Sequence, residues 1–142
     1  MSSASPPLVL TFAASDPTGG AGVQADLLTL AALGCHPLSV LTALTVQDTR
    51  GVESLEPVAA DLVARQAESL LAESEVAAFK VGVLGSAANA RAVAAIVAPA
   101  TMSQGMMSRI VFAPAGMKRW PLMPAKASGA EVVKPSFHPG KG

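Results

Sequence analysis

The chain has 142 residues, of which 51% are hydrophobic and 14% charged, a balance that excludes intrinsic disorder and fits one domain. Ten basic and ten acidic residues leave a net charge of zero, so the overall charge does not indicate nucleic acid as a partner. The single cysteine, Cys35, excludes an intramolecular disulfide and predicts a reducing, cytoplasmic compartment.

The apolar and amphipathic segments alternate along the first hundred residues. Each apolar run is continuous, which is typical of strands buried on both faces of a parallel sheet. The pattern predicts strands at 8–14, 38–46, 78–84 and 110–113, and helices at 21–33, from Pro57 onward, and at 87–97. Strands that alternate with helices predict an α/β fold, with a mostly parallel sheet and helices on both of its faces.

The uncharged stretch 27–47 is long enough to span a bilayer, but it does not read as a membrane helix. Gly34-Cys35-His36-Pro37 interrupts it, so we interpret it as a helix, a turn that contains His36, and a buried strand. The first seven residues hold no lysine or arginine, so they lack the basic region of a signal peptide. We therefore expect no membrane partner.

The composition changes near residue 100, and this change predicts the domain organisation. Residues 101–142 hold six of the ten basic residues, one acidic residue, and five of the six methionines. We expect residues 1–100 to form the N-terminal part of one domain, and residues 101–142 to be a divergent basic, Met- and Pro-rich tail that is poorly ordered. The alternative for this tail is an anion-binding segment.

A glycine-rich turn at 15–22 joins the first strand to the first helix, where backbone N–H groups commonly approach a ligand. Gly19, Gly22 and Asp26 share one helical face, so Asp26 is predicted to lean back toward the carboxyl ends of the strands, where ligands bind. The alternative for Asp26 is a solvated surface carboxylate. Gln47 leaves the second strand at the same edge with an amide suited to a heterocycle, the alternative being an ordinary loop residue.

Residues 20–25 also match the dinucleotide fingerprint G-x-G-x-x-G/A, with Asp48 as a candidate ribose ligand. The spacing disfavours this interpretation, because the fingerprint begins almost directly after a strand, whereas here residues 15–19 intervene and Pro17 requires a distinct turn. For a metal site, His36 and His138 with one cysteine lack ligand spacing, so we expect no metal ligands in the protein.

The segment 10–26, L-T-F-A-A-S-D-P-T-G-G-A-G-V-Q-A-D, resembles the opening of the hydroxymethylpyrimidine/phosphomethylpyrimidine kinases of the ribokinase-like superfamily. Three further blocks keep the order and spacing of that family, at 31–34, 41–52 and 79–84. The resemblance covers about residues 8–98. It implies that the chain forms part of a ribokinase-like three-layer sandwich.

The resemblance also implies an activity. These kinases use ATP, with Mg²⁺ arriving with the nucleotide, to phosphorylate 4-amino-5-hydroxymethyl-2-methylpyrimidine and then its monophosphate, in thiamine diphosphate biosynthesis. Carried over by position, Gln47 would hydrogen-bond the aminopyrimidine and Asp26 would sit near its hydroxymethyl group. The other pocket residues would be Ala21, Gly22, Thr45 and Val83. The family also tends to form homodimers.

Several positions depart from the family pattern. Ala14, Asp48 and Val83 stand where the family usually has Gly, Asn and Met, and Ala113 replaces an aspartate of the fourth strand. Lys80 matches a family lysine, to which we assign no role in catalysis.

The glycine-rich segment that forms the family's anion hole and supplies its catalytic residue has no counterpart here, so no catalytic residue is assigned. The hypothesis is a truncated or frame-shifted kinase of doubtful activity. The alternative is a non-catalytic pyrimidine-binding or interaction fragment.

Overall fold

The computed structural model describes residues 5–103 and 110–112. Their helices and strands follow one another as β1 (Leu8–Ala14), α1 (Gly22–Ala32), β2 (His36–Gln47), β3 (Val52–Pro57), α2 (Ala60–Glu73), β4 (Ala78–Val81), α3 (Ala87–Ser103) and β5 (Ile110–Phe112). The strands form one sheet in the order β3-β2-β1-β4-β5. All neighbouring pairs are parallel except β2 and β3, so the predicted α/β class with a mostly parallel sheet is confirmed.

Helices cover both faces of this sheet, as predicted. On one face, apolar side chains of β1, β2 and β4 form a single core with α2 and α3; its largest fully buried members are Phe12, Phe79 and Leu10. Side chains alternate along a strand, so Thr11 of β1 points to the opposite face. There α1 packs across β1 and β2.

The order of the strands makes the carboxyl end of β1 the point at which the connections reverse direction across the sheet. From β1 the chain passes through α1 to β2 on one side, and the later crossover through α2 delivers β4 to the other side of β1. Such a reversal in a parallel sheet opens a crevice at the carboxyl ends of the strands, where ligands of open α/β sheets bind. The glycine-rich turn 15–21 lies at this point.

The hairpin formed by β2 and β3 was not predicted. Residues 48–51 close this antiparallel pair. The predicted second helix is present as α2, but its predicted start at Pro57 was wrong, because Pro57 ends β3 and α2 begins at Ala60. The sequence 52–57 contains two glutamates and a proline, which weaken a strand signal, yet an edge strand tolerates all three. His36, interpreted as a turn residue, is the first residue of β2 and pairs with Leu8.

Other element ends also differ from the sequence prediction. β4 ends at Val81 rather than near residue 84, and α3 continues to Ser103, with Pro99 inside it. Gly19 lies before α1, so it does not share a helical face with Gly22 and Asp26 as predicted. Ala113 and most of residues 101–142 lie outside the described part of the chain, so the expected poorly ordered tail stays a prediction. Within residues 5–103 and 110–112, no helix is long and apolar enough to cross a membrane.

Asn89, near the start of α3, joins one strand and two loops through its side-chain amide. This fully buried side chain places its Nδ2 within hydrogen-bond distance of the carbonyl oxygens of Thr42, Val58 and Leu84, at 2.9, 3.1 and 2.9 Å. A buried carbonyl that loses its donor is costly, so one amide holds β2, the β3–α2 loop and the β4–α3 loop in register.

Gly22 and Gly34 form a matched pair for testing the turn before α1. Both have positive φ, +63° and +77°, but only at Gly22 would a Cβ collide, lying 2.5 Å from the Ala14 carbonyl oxygen and 2.9 Å from the Asp16 nitrogen. We expect Gly34→Ala to lower the free energy of unfolding by about 1 kcal/mol. Gly22→Ala should cost about 3 kcal/mol or more, because backbone overlap adds to the strain. Equal losses in urea unfolding would contradict this close approach.

Candidate functional site

The turn after β1 is fastened directly to the carboxyl half of β2. The Ser15 amide donates to the Ala43 carbonyl at 2.9 Å, and the Thr45 amide donates to the Ser15 hydroxyl at 3.2 Å. The Thr45 hydroxyl in turn donates to the Ser15 carbonyl at 2.8 Å. Thr45 is a predicted site residue, and these bonds fix it beside the glycine-rich turn.

Inside the β1–α1 turn, Asp16 forms hydrogen bonds with Thr18 and Gln24. Its buried carboxylate accepts hydrogen bonds from the Thr18 amide at 2.9 Å and from the Thr18 hydroxyl at 2.8 Å. Its own amide donates to Gln24 Oε1 at 2.8 Å. The turn is therefore ordered by its own residues and by the first helical turn of α1. Ala21, a predicted site residue, is the exposed N-cap of that helix and offers no side-chain cap.

Asp26 lies against the sheet rather than in solvent. Its Oδ2 accepts a hydrogen bond from Thr11 Oγ1 at 2.6 Å and forms an ion pair with Lys80 Nζ at 2.6 Å. The Asp26 side chain is 14% exposed, which excludes the alternative of a solvated surface carboxylate. The carboxylate thus lies between α1 and the two central strands, four residues beyond Gly22.

Gln47 lies at the end of β2, two residues beyond Thr45, and is half-buried. Its side-chain amide has no hydrogen-bond partner among the described residues, so it is available to a ligand. An open depression on the β2–β3 hairpin is lined by Gln47 together with Asp48 and Arg50. This depression contains none of the other five predicted site residues.

Asp48 replaces the neutral amide that the resemblance would place beside Gln47, and the structure shows how its charge is balanced. The Asp48 carboxylate accepts hydrogen bonds from Arg50 Nε at 2.8 Å, from Arg50 Nη2 at 2.6 Å, and from two backbone amides of the hairpin turn. The Arg50 side chain holds the pKa of Asp48 below its usual value of 3.8. Asp48 therefore builds the turn and presents little net charge to Gln47.

The structure brings the predicted site residues to one edge in two groups. The first group contains Ala21, Gly22 and Thr45 at the β1–α1 turn, with Asp26 one helical turn beyond Gly22, against Thr11 and Lys80. Val83 follows β4 at the same edge, where its carbonyl accepts the Thr42 hydroxyl at 2.6 Å. Gln47 extends beyond this group toward the hairpin.

Sequence reasoning missed the two partners of Asp26. Thr11 and Lys80 face each other in the β1–β4 pairing, each inside an otherwise apolar strand. A polar residue at an inward position of a buried strand is a usable signal, because it requires a partner. For metals, the described segments 5–103 and 110–112 contain no group of three or more His, Cys, Asp or Glu side chains that could hold an ion.

A sequence model of the phosphomethylpyrimidine kinase family matches residues 16–118. The chain belongs to this family. It is 48% identical over 93 residues to the hydroxymethylpyrimidine/phosphomethylpyrimidine kinase of Streptomyces coelicolor, covering 66% of this chain and 35% of that protein. With the kinase of the same name from Escherichia coli it shares 46% identity over 85 residues, covering 60% of this chain and 32% of the relative.

Solved structures of related kinases have a similar fold. A crystal structure of phosphomethylpyrimidine kinase from Clostridium difficile superposes with a TM-score of 0.64 and 31% identity, covering 75% of this chain and 44% of that one. A pyridoxal kinase from Staphylococcus aureus gives a TM-score of 0.61 and 28% identity, over 75% of this chain and 39% of the kinase. The chain spans about a third of the length of the relatives it matches by sequence.

The Arg50–Asp48 pair generates a prediction about pH. Arg50→Met should raise the pKa of the Asp48 carboxyl toward 3.8, because the charged donor is lost. Because the pKa of Asp48 is lower in the folded state, its ionised carboxylate stabilises the fold at pH values above the pKa of the unfolded state. This stabilisation is lost as the pH falls through the pKa of the folded state. A ¹³C-detected carboxyl titration measures the shift. Arg65→Met on α2, whose arginine pairs with Asp61, is the control and should leave the Asp48 titration unchanged; an unaltered titration in Arg50→Met contradicts the assignment.

Proposed function

We propose that the chain binds 4-amino-5-hydroxymethyl-2-methylpyrimidine and its monophosphate at the carboxyl edge of β1, β2 and β4, as the substrate-binding part of a kinase of thiamine diphosphate biosynthesis. The observation that carries this proposal is the pair of hydrogen bonds between Ser15, in the β1–α1 turn, and Thr45. These bonds hold the turn against β2 two residues before Gln47, whose side-chain amide has no hydrogen-bond partner among the described residues. A turn and a free amide at a switch point suit a small planar ligand.

Each residue has a defined task in this proposal. The Gln47 carbonyl accepts a hydrogen bond from the exocyclic amine of the pyrimidine, and its NH₂ donates to a ring nitrogen. Asp26 accepts a hydrogen bond from the hydroxymethyl group. The small residues at positions 21 and 22 let the turn approach the ligand, and Thr45 and Val83 line the pocket.

Phosphoryl transfer requires ATP and further groups in addition to the residues proposed to bind the pyrimidine. ATP supplies the γ-phosphoryl group, and the reaction depends on charge stabilisation around that group. Within residues 5–103 and 110–112, no group of three or more His, Cys, Asp or Glu side chains could hold a metal ion. Pyrimidine binding is supported by described residues, whereas ATP-dependent transfer is supported by family membership.

A second candidate is a pyrimidine-binding fragment without kinase activity. The chain spans 35% of the length of the Streptomyces coelicolor kinase, and every residue proposed to contact the pyrimidine lies within this span. A homodimer is also part of the proposal, because the β2–β3 hairpin exposes the apolar side chains of Leu44, Val46 and Val52 by 53%, 55% and 59%. A cytoplasmic location fits the free Cys35.

Calorimetric titration of the full chain with the hydroxymethylpyrimidine tests binding. The wild-type chain should bind, and Gln47→Leu should weaken binding by about tenfold or more, because two hydrogen bonds are lost. Gln66→Leu is the matched control, since Gln66 lies on α2 and makes one bond, to the Leu62 carbonyl; its affinity should equal that of the wild type. Lack of binding by the wild-type chain contradicts the proposal.

A coupled ATP-turnover assay on the same preparation separates the two candidates. Turnover that requires the hydroxymethylpyrimidine identifies a kinase. Binding of the pyrimidine without turnover identifies the non-catalytic fragment.

A further inference from the structure

The two donors to Asp26 converge on one of its oxygens. Thr11 and Lys80 are opposite each other in the β1–β4 pairing, and their side chains meet Asp26 on the face that α1 covers. Thr11 Oγ1 and Lys80 Nζ each lie 2.6 Å from Oδ2. The other oxygen, Oδ1, has no hydrogen-bond partner among the described residues. One half of the carboxylate is therefore occupied by the protein and the other half is open.

The Lys80 ammonium is confined as well as paired. Its side chain is 20% exposed, and a Cβ built at Gly82 would lie 2.9 Å from Nζ and 3.3 Å from the Ala13 Cβ. A larger residue at position 82 would therefore displace Nζ. Partial burial also reduces the screening of this ion pair by salt, so the attraction between Lys80 and Asp26 is stronger than in a surface pair. A stronger attraction holds the two side chains more firmly in one orientation.

We propose that Lys80 is a positioning residue for substrate binding, which together with Thr11 commits Oδ2 to the protein and leaves Oδ1 to accept a hydrogen bond from the hydroxyl of the ligand's hydroxymethyl group. This inference rests on the proposed function. An ionised carboxylate is an acceptor only, so the arrangement selects ligands that carry a donor at this position. A charged acceptor makes a stronger hydrogen bond than a neutral one, so the difference in affinity between ligands with and without the donor should be large.

A purely structural ion pair would behave differently. Its loss would loosen α1 against the sheet and weaken every ligand of the site alike. A positioning role acts on the one group that Oδ1 contacts. Two ligands that differ only in the hydroxyl distinguish these cases: 4-amino-5-hydroxymethyl-2-methylpyrimidine and 4-amino-2,5-dimethylpyrimidine.

The experiment is a calorimetric titration of the full chain with both pyrimidines. The wild type should prefer the hydroxymethyl compound by about tenfold or more, as expected for a hydrogen bond to a charged group. Lys80→Met should reduce this preference to about threefold or less, while the affinity for the dimethyl compound changes little. Lys80→Arg keeps the cation and should restore part of the preference. Arg65→Met, which breaks the exposed pair with Asp61, is the matched control and should leave the preference intact.

Thr11→Val keeps the ion pair and removes the other donor to Oδ2, so it provides a second test that does not depend on the stability of Lys80→Met. Its preference should fall between those of the wild type and Lys80→Met. The inference is overturned if both variants keep the wild-type preference, or if they weaken both ligands equally. A wild-type chain that binds neither pyrimidine overturns the proposed function together with this inference. A wild-type chain that binds both ligands with equal affinity keeps the pyrimidine site, but it overturns this inference and the contact of Asp26 with the hydroxymethyl group.

Discussion

The contact between Asp26 and its two donors is the constraint that sets the orientation of the Asp26 carboxylate in the candidate site. It joins the first helix to the two central strands through a partly buried ion pair, with both charged side chains at most 20% exposed. Burying two charges costs desolvation energy, and the Coulomb attraction offsets this cost only when the geometry is good and further hydrogen bonds are made. The Thr11 hydroxyl supplies such a bond. Loss of either charge would leave the other uncompensated, so α1 and the sheet are fixed relative to each other by more than apolar packing.

The sequence predicted the elements that bury their side chains. β1 was predicted with the observed bounds, because the run 8–14 is apolar except for Thr11 and a turn signal follows it. A turn beginning at Gly34 was predicted to follow the first helix, and the positive φ of Gly34 explains why a glycine occupies this position. The sequence reasoning failed at the edge strand β3, where Glu53, Glu56 and Pro57 obscure a pattern that only pairing with β2 reveals.

The candidate site was predictable in its location and not in its internal contacts. The glycine-rich turn and the carboxyl end of β2 are adjacent in the sheet order, which follows from the alternation of strands and helices. The pairing of Thr11 with Lys80 depends on the register between β1 and β4, which lie far apart in sequence. No local pattern specifies that register, so the partners of Asp26 could not be named from the sequence.

The most direct test of the account is a chemical-shift map of the ¹⁵N-labelled full chain titrated with the hydroxymethylpyrimidine. We expect the amides with perturbed chemical shifts to cluster at the carboxyl edge, around Gly22, Thr45, Gln47 and Val83. Perturbations concentrated instead along α2, where Leu62, Arg65 and Gln66 line a second depression with Ser39, would contradict it. So would a titration that perturbs no amide at ligand concentrations in the millimolar range, on the order of the weakest specific affinities.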